Sequence, residues 1–443
     1  MAIFVRRDIQ KAVEVVAKSL SREQVKSLVD RLNGDVTEGL AAEWETVVLS
    51  AFCQYGIVLH EQNHGGETRP DILFQDKQSN LEFLTDVRAV SDRDLHQKNP
   101  YFEFTQAVSE YLQQNGHNAA GIYIDVEYVE EGEYRNRKVY LTLPPKNEIE
   151  TFVAAELGEF LLEIARNPEK SNKLHYDKNQ VRFTIRYNAN EKRFGGGGHI
   201  CYTIPYSSKN PLKNALQKKG QQLIKSGYTG TLGIIVCDSR CDALNERSDV
   251  NGAYSCQEIV ENYLRTHTHI LWVLILRIEE AHVTFLPQTT INIKPKLYWN
   301  PERENHLFQK TFNALEQILK HLPKPEATPA NAIHHLDSKN GKTGRSNFGG
   351  FHMSGKTIKI STRALTELLA GEIDLQLFLE AHGFKSDPLN PSRSCLHFFE
   401  NQLSRGNTLQ NAFVEEEEHK DDDWIVLEYD GPDPAISPFR VPN

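Results

Sequence analysis

Apolar positions recur at helical spacing over residues 7–33, at Ile9, Val13, Val16, Leu20, Val25, Leu28 and Leu32. Ser21 followed by Glu23 marks a second helix start inside that span. A stripe of Leu40, Trp44, Val47, Val48 and Ala51 predicts another helix over 37–55, ended by Gly56. The period then shortens. Strand-like runs follow at 57–60, 71–74 and 81–90, then a helix over 104–114 and a β-branched, aromatic strand over 122–129. Helices are expected at 147–166, 211–226, 255–265 and 304–321. Strands are expected at 181–187, 199–204, 231–237, 269–278 and 281–286. Gly195 to Gly198 joins two of these strands and reads as a hairpin or loop, because a phosphate-cradling loop needs a helix opening after it.

Pro323, Pro325 and Pro329, followed by polar residues and glycines, make 322–350 a linker. Helices over 362–369 and 375–382 and a strand over 424–427 form a small unit after it. The chain is therefore expected to be α+β. It divides into a helical lead (1–36), a core (37–138), an α/β extension (139–321), the linker and a C-terminal unit (351–443) whose role the residues leave open.

The chemistry concentrates at 71–88. If 71–74 and 81–88 pair as a hairpin across Lys77-Gln78-Ser79-Asn80, partner numbers sum to 157, and Asp71 stands opposite Asp86. Opposed side chains share a face at about 4.5–5.5 Å between Cβ atoms. Arg88, two residues on, shares that face. Facing carboxylates repel unless a cation lies between them, and Mg²⁺ or Mn²⁺, which favour oxygen ligands, suit the position. Glu43 and Glu45 on the preceding helix offer a third carboxylate.

The segment Glu45…Gly56…Pro70-Asp71…Asp86-Val87-Arg88 resembles the PD-(D/E)xK nuclease superfamily over about residues 37–130. The resemblance implies a restriction-endonuclease-like core of helix, three strands, helix and strand. It implies Glu45, Asp71 and Asp86 as ligands of Mg²⁺ or Mn²⁺, and hydrolysis of phosphodiester bonds in DNA or RNA. The family's lysine would fall at position 88, where this chain has Arg88. Arginine keeps the charge but serves poorly as a base. It can still stabilise a phosphate, and Lys77 is an alternative. A catalytically silent nucleic-acid-binding or scaffold protein of the same fold is the competing reading. Restriction or phage defence would suit the family, and many of its enzymes act as homo-oligomers.

A rival motif, His60-Glu61-Gln62-Asn63-His64, matches H-E-x-x-H of zinc metallopeptidases. That chemistry needs both histidines on one helix face. Strand character before the motif and Gly65-Gly66 after it oppose a helix. Lys213, Lys218, Lys219 and Lys225 lie on one expected helix. They read as a solvated face or as the lining of a nucleic-acid groove. Cys237, Cys241, His267 and His269 have no matching ligand set.

Composition adjusts this picture only slightly. The net charge of −10 excludes a non-specific nucleic-acid coat, yet −6 of it lies in Glu415–Asp423, leaving −4 elsewhere, so a local basic groove is not opposed. Six scattered cysteines form no disulfide framework and suggest a reducing, cytoplasmic setting. The longest apolar run, 270–278, contains Arg277 and is too short to cross a membrane, so no membrane partner is expected.

Overall fold

The computed structural model describes residues 3–34, 36–76, 78–92, 100–115, 117, 119–131, 138–167, 169–190, 195–197, 210–245, 254–282, 289–300, 306–332, 351–371, 375, 378–379, 395–418 and 420–432. Lys77, Gly198, residues 199–204 and most of the expected 322–350 linker lie outside them. The chain forms two compact units, one of Ala12–Ala330 and one of Met1–Lys11 with Asn331–Asn443.

Helices α1 (Arg6–Val16), α2 (Arg22–Leu32) and α3 (Val36–Tyr55) open the chain. Helix α2 carries a full capping box between Ser21 and Gln24. Helix α3 is apolar on nearly every side, and Leu40, Trp44, Val47, Leu49 and Phe52 are buried along it. It ends at Gly56, where a Cβ would stand 2.5 Å from the Phe74 ring, so only glycine allows strand and helix to approach so closely.

A six-stranded sheet follows in the order β1-β2-β3-β10-β11-β12. Strands β1 (Ile57–His60), β2 (Ile72–Asp76) and β3 (Leu81–Val90) form an antiparallel meander. Strand β10 (Thr231–Asp238) lies parallel to β3, and β11 (Ile270–His282) lies parallel to β10. Strand β12 (Thr289–Trp299) returns antiparallel to β11. One face of this sheet carries Phe74, Phe83 and Trp272, which form a chain of ring contacts continuing from Phe52 of α3, with successive centroids 5.1–5.3 Å apart. The other face buries Leu73, Leu84 and Ile234 among residues of two later helices, Pro211–Lys225 and Cys256–Thr266.

The structure departs from expectation at the fourth core strand. Helix α4 (Tyr101–Gln114) and strand β4 (Ile122–Val126) were expected beside β3, but they belong to a second sheet. After the short β5 (Tyr128–Glu131) and β6 (Lys138–Leu141) hairpin, helix α5 (Gly158–Arg166) and strands β7 (Asn172–Lys178), β8 (Val181–Tyr187) and β9 (Gly195–Gly197) complete it. Its order is β7-β8-β4-β9, over a separate core of Phe104, Leu112, Ile124, Leu161 and Phe183. Burial explains the difference. Along β4, buried and exposed residues alternate, with Tyr123 and Asp125 facing solvent. A strand flanked by parallel neighbours and covered on both faces needs an unbroken apolar run. Strand β10 has one and is buried from Leu232 to Asp238. Helix α6 (Pro211–Lys225), capped by the Asn210 side chain, leads into it, and α7 (Cys256–Thr266) links it to β11. The boundary expected at 138 therefore runs through a unit whose main sheet draws strands from both sides of it. The two strands expected at 269–278 and 281–286 are one strand, β11, as far as His282. Strand β12 was not foreseen. Helix α8 (His306–Leu319) packs against α3.

The other unit holds a four-stranded sheet, β13 (Phe351–Ser354), β14 (Thr357–Ser361), β16 (Trp424–Pro432) and β15 (Asn407–Glu415), in that order. Helices α9 (Thr362–Ala370) and α10 (Cys395–Ser404) contribute Ala364 and Phe398 to its core with Ile358 and Ile360. The acidic run is partly neutralised within this unit: Arg7 forks onto Asp423 at 2.7 Å through both terminal nitrogens, and Lys11 reaches Glu418 at 2.9 Å. Among the described residues no helix is long and apolar enough to cross a membrane.

Candidate functional site

The β2–β3 ladder pairs Ile72 with Thr85, Leu73 with Leu84 and Phe74 with Phe83, the register expected from the four-residue turn. Asp71 precedes β2 by one residue, and continuing the ladder sets it against Asp86. The two carboxyls do meet. Asp86 is fully buried, and the Asp71 side chain is only 13% exposed. Asp71 Oδ2 accepts a hydrogen bond from the Val87 N–H at 2.8 Å.

The cation on this pair comes from α6, 133 positions beyond Asp86. Lys219 Nζ donates to Asp86 Oδ1 at 2.7 Å and lies 3.5 Å from Asp71 Oδ2. Its side chain is 11% exposed, so all three groups are largely withdrawn from water. Burial, reinforced by the negative charge of Asp71, pushes the Asp86 carboxyl well above the usual aspartate range. Burial acts on Asp71 in the same sense, but the Lys219 charge, the hydrogen bond with Asp86 and the Val87 N–H outweigh it and hold Asp71 low. Lys219 is opposed by burial and raised by both aspartates. The environment thus favours the ammonium of Lys219 and the carboxylate of Asp71, and opposes ionisation of Asp86. Asp86 Oδ2 is buried and meets no donor, so a hydrogen bond between the two carboxyls needs one of them to carry a proton.

Glu45 on α3 lies within electrostatic reach, since its charge helps to raise Lys219. Both its oxygens are engaged by the Arg31 fork, at 2.6 and 2.8 Å. Arg31 is raised by that hydrogen bond, against burial, and also feels Asp71 and Glu61. The expected third ligand therefore stands beside the aspartate pair with its own counter-ion. Among the described residues no group of three or more His, Cys, Asp or Glu side chains assembles as a metal-ion site. Glu43 is buried in α3. Arg88, expected to stabilise a phosphate from the same face, is exposed on β3, and the cation in contact with the carboxylates is Lys219.

Segment 61–70 is docked along the C-terminal half of α6. Gly66 N–H donates to Ser226 O at 3.1 Å, Glu67 N–H to Lys225 O at 2.8 Å, and Thr68 Oγ1 to Gln222 O at 2.5 Å. The Gln222 side chain accepts weakly from Lys219 at 3.4 Å and donates to Arg69 O at 3.3 Å. These contacts fix the helix that carries Lys219 to the segment that leads into Asp71.

His60-Glu61-Gln62-Asn63-His64 is not helical. His60 ends β1, Glu61 turns the chain at φ 51°, and His64 packs its ring on Tyr228 at 5.3 Å. His60 Nδ1 lies 2.6 Å from the Asp71 backbone carbonyl. The helix-face pair of histidines that a zinc peptidase needs is therefore not formed. Cys237 and Cys241 are buried thiols, both pushed well up by that burial. His267 lies on Tyr263 at 4.2 Å at the end of α7. Of the lysines of α6, Lys218 is exposed and Lys225 pairs with Glu67 at 3.3 Å.

Lys219 is the residue whose role the sequence reading missed. The signal was present: Lys219 falls seven positions after Leu212 and four before Leu223, on the apolar stripe of its helix. A lysine on a buried stripe needs a carboxylate partner. Two further buried acids, Asp92 and Asp238, were also not foreseen. They accept backbone and thiol hydrogens at the ends of β3 and β10, and burial raises Asp238 to about 6 against three backbone donors. Comparison of the chain with family models, with curated proteins and with solved structures finds no match.

Proposed function

We propose that this protein is a divalent-cation-dependent nuclease that hydrolyses phosphodiester bonds of DNA or RNA at Asp71, Asp86 and Lys219. The observation that carries the reading is the facing aspartate pair, buried, with one oxygen lacking a donor and a lysine laid across both carboxyls. The order α3, β1, β2, β3, α6, β10, with β10 parallel to β3, supports a restriction-endonuclease-like core once the second sheet is taken as an insertion.

The site suits Mg²⁺ or Mn²⁺. Two carboxylates fit a hard cation that keeps most of its waters, and Asp86 has a buried oxygen left to offer. Asp71 and Asp86 would hold the ion, and Glu45 would join on releasing Arg31. A bound divalent ion supplies an activated water and neutralises charge developing on the phosphate. Lys219 would stabilise the same charge, taking the part that the family resemblance assigns to position 88. Around the pair, exposed Arg88 and Lys218 give the polyanion its local attraction, and α6 contains no acidic residue. Five cysteines outside any disulfide among the described residues fit a cytoplasmic setting, and a restriction or defence role goes with the family resemblance.

A second reading is favoured by one observation: every carboxylate at the site already has a protein cation, Lys219 or Arg31. In that reading the cluster is a structural ion network of a silent nuclease fold. Cleavage of plasmid DNA, linear DNA and RNA with Mg²⁺, Mn²⁺ or EDTA decides between them. The nuclease reading expects cutting by the parent. EDTA, Asp71→Ala or Asp86→Ala should each reduce it by roughly a hundredfold or more. Cutting that survives both substitutions would refute the site. Metal-independent binding without cutting would establish the silent fold.

A further inference from the structure

We propose that His60 is a positioning residue, which holds the Asp71 carboxylate at the site by hydrogen-bonding the Asp71 backbone carbonyl. The inference deepens the nuclease reading and rests on it for its metal-dependent consequences only. Asp71 lies just outside regular pairing: the ladders on either side of β2 end at Ile72, paired to His60 and to Thr85. Its carbonyl receives only a long bond from the Glu61 N–H, at 3.4 Å. The His60 imidazole supplies a far shorter contact, Nδ1 to Asp71 O at 2.6 Å, from a side chain that is 3% exposed. A carbonyl can only accept, so Nδ1 carries the hydrogen, and the tautomer is set.

His60 is anchored in turn. Gln24 of α2 donates to the His60 carbonyl at 3.0 Å, and Glu61 leaves the strand at once at φ 51°. A continuous path results. It runs from α2 through the end of β1 and the His60 ring to the Asp71 backbone. From there the Asp71 side chain reaches the Val87 N–H at 2.8 Å and Lys219 at 3.5 Å. The histidine that opens the H-E-x-x-H segment thereby acquires a role that needs neither zinc nor a helix.

Val87 provides the readout. Its N–H is bonded by the Asp71 side chain, so hydrogen exchange at Val87 in the metal-free full-length protein reports where that carboxylate is. Two variants separate geometry from volume. In His60→Asn the amide nitrogen falls near the place of Nδ1, and in His60→Gln it falls near that of Nε2. Loss of about one hydrogen bond predicts roughly five- to tenfold faster Val87 exchange in His60→Gln, with His60→Asn within roughly twofold of the parent. Mn²⁺ affinity should fall about 10–100-fold in His60→Gln and recover in His60→Asn, as expected for a group that orients a ligand. Equal Val87 exchange in all three proteins would overturn the inference, and so would equal acceleration in both variants. A parent that neither binds Mn²⁺ nor cuts would defeat the nuclease reading, while Val87 exchange would still decide the role of His60.

Discussion

Replacing Lys219 by methionine removes the one ammonium from a buried pair of carboxyls and keeps most of the unbranched apolar stem. Breaking a buried ion pair from one side costs about 3–5 kcal/mol, because a charge is left without compensation. Two features of the site moderate this. Burial and the Asp71 charge oppose ionisation of Asp86, which limits the charge left stranded, and Asp71 keeps the Val87 N–H and slight exposure. A loss of about 3 kcal/mol at neutral pH follows, or roughly 4–5 °C in midpoint for a unit of this size. In the parent, Asp71 is held below the ordinary aspartate value. Its contribution is therefore present above about pH 3.9 and is lost as pH falls through the depressed folded value. Without Lys219 that contribution is gone, and the stabilities of the two proteins should converge in acid. Thermal unfolding of both across pH 3–8 measures the difference. Mn²⁺ provides a second arm. The ion enters the Lys219→Met site without displacing an ammonium, so it should raise that midpoint more than the parent's, adding about 2.7 kcal/mol at a hundred times Kd. A variant as stable as the parent at pH 7 would refute the view that Lys219 compensates the buried aspartates. A variant that is destabilised but indifferent to Mn²⁺ would leave the cluster standing and remove the cation site.

Asp86→Asn should leave stability within about 1 kcal/mol of the parent, because an amide replaces a carboxyl whose charged form burial and Asp71 already disfavour. The same substitution should abolish detectable Mn²⁺ binding in a calorimetric titration, since the amide cannot ionise; retained binding would mean that Asp86 is no ligand. Cation affinity of the parent should rise with pH over the interval between the ordinary aspartate value and the raised Asp86 value, by up to about tenfold per unit for one released proton. Titrations in buffers of different ionisation enthalpy would count that proton, and a pH-independent affinity would show that Asp86 enters the site already ionised.

How far the sequence discloses this arrangement differs from element to element. The Asp71–Asp86 pairing is legible because apolar residues on both sides of a four-residue turn admit one register, and a slip of one residue would send Leu73 and Leu84 to the wrong face. Helix α3 is legible from its apolar stripe, and its carboxylate Glu45 does come close to the pair. The Arg31 fork is not legible, because it joins two helices whose relative placement depends on packing. The error at β4 arose from taking nearness in sequence for nearness in space. Its alternation of buried and exposed residues already spoke against a place between parallel strands, whereas Leu232–Cys237 is apolar throughout. In the C-terminal unit the strands expose much of their length, Leu409 and Val414 among them, and the periodic signal there is correspondingly weak.

Lys219 shows why a motif search centred on Asp86 stops short. A cation two residues along β3 lies on the correct face, yet Arg88 points to solvent, and its charge is satisfied there. The carboxyl pair is covered by α6, because β10 must be reached by a crossover and the crossover helix packs over β3. Any side chain on the inner stripe of that helix opposite Asp86 is forced against two carboxyls. An aliphatic residue there would leave both oxygens of Asp86 without a donor, with a penalty of about 1–3 kcal/mol for each unsatisfied group. Lysine, with an apolar stem and a cationic donor at its tip, spans the gap, and Leu212, Leu216 and Leu223 bury its helix on the same stripe. The segment between β3 and α6 forms a second sheet with its own core, and the helix that follows it still returns Lys219 to Asp86.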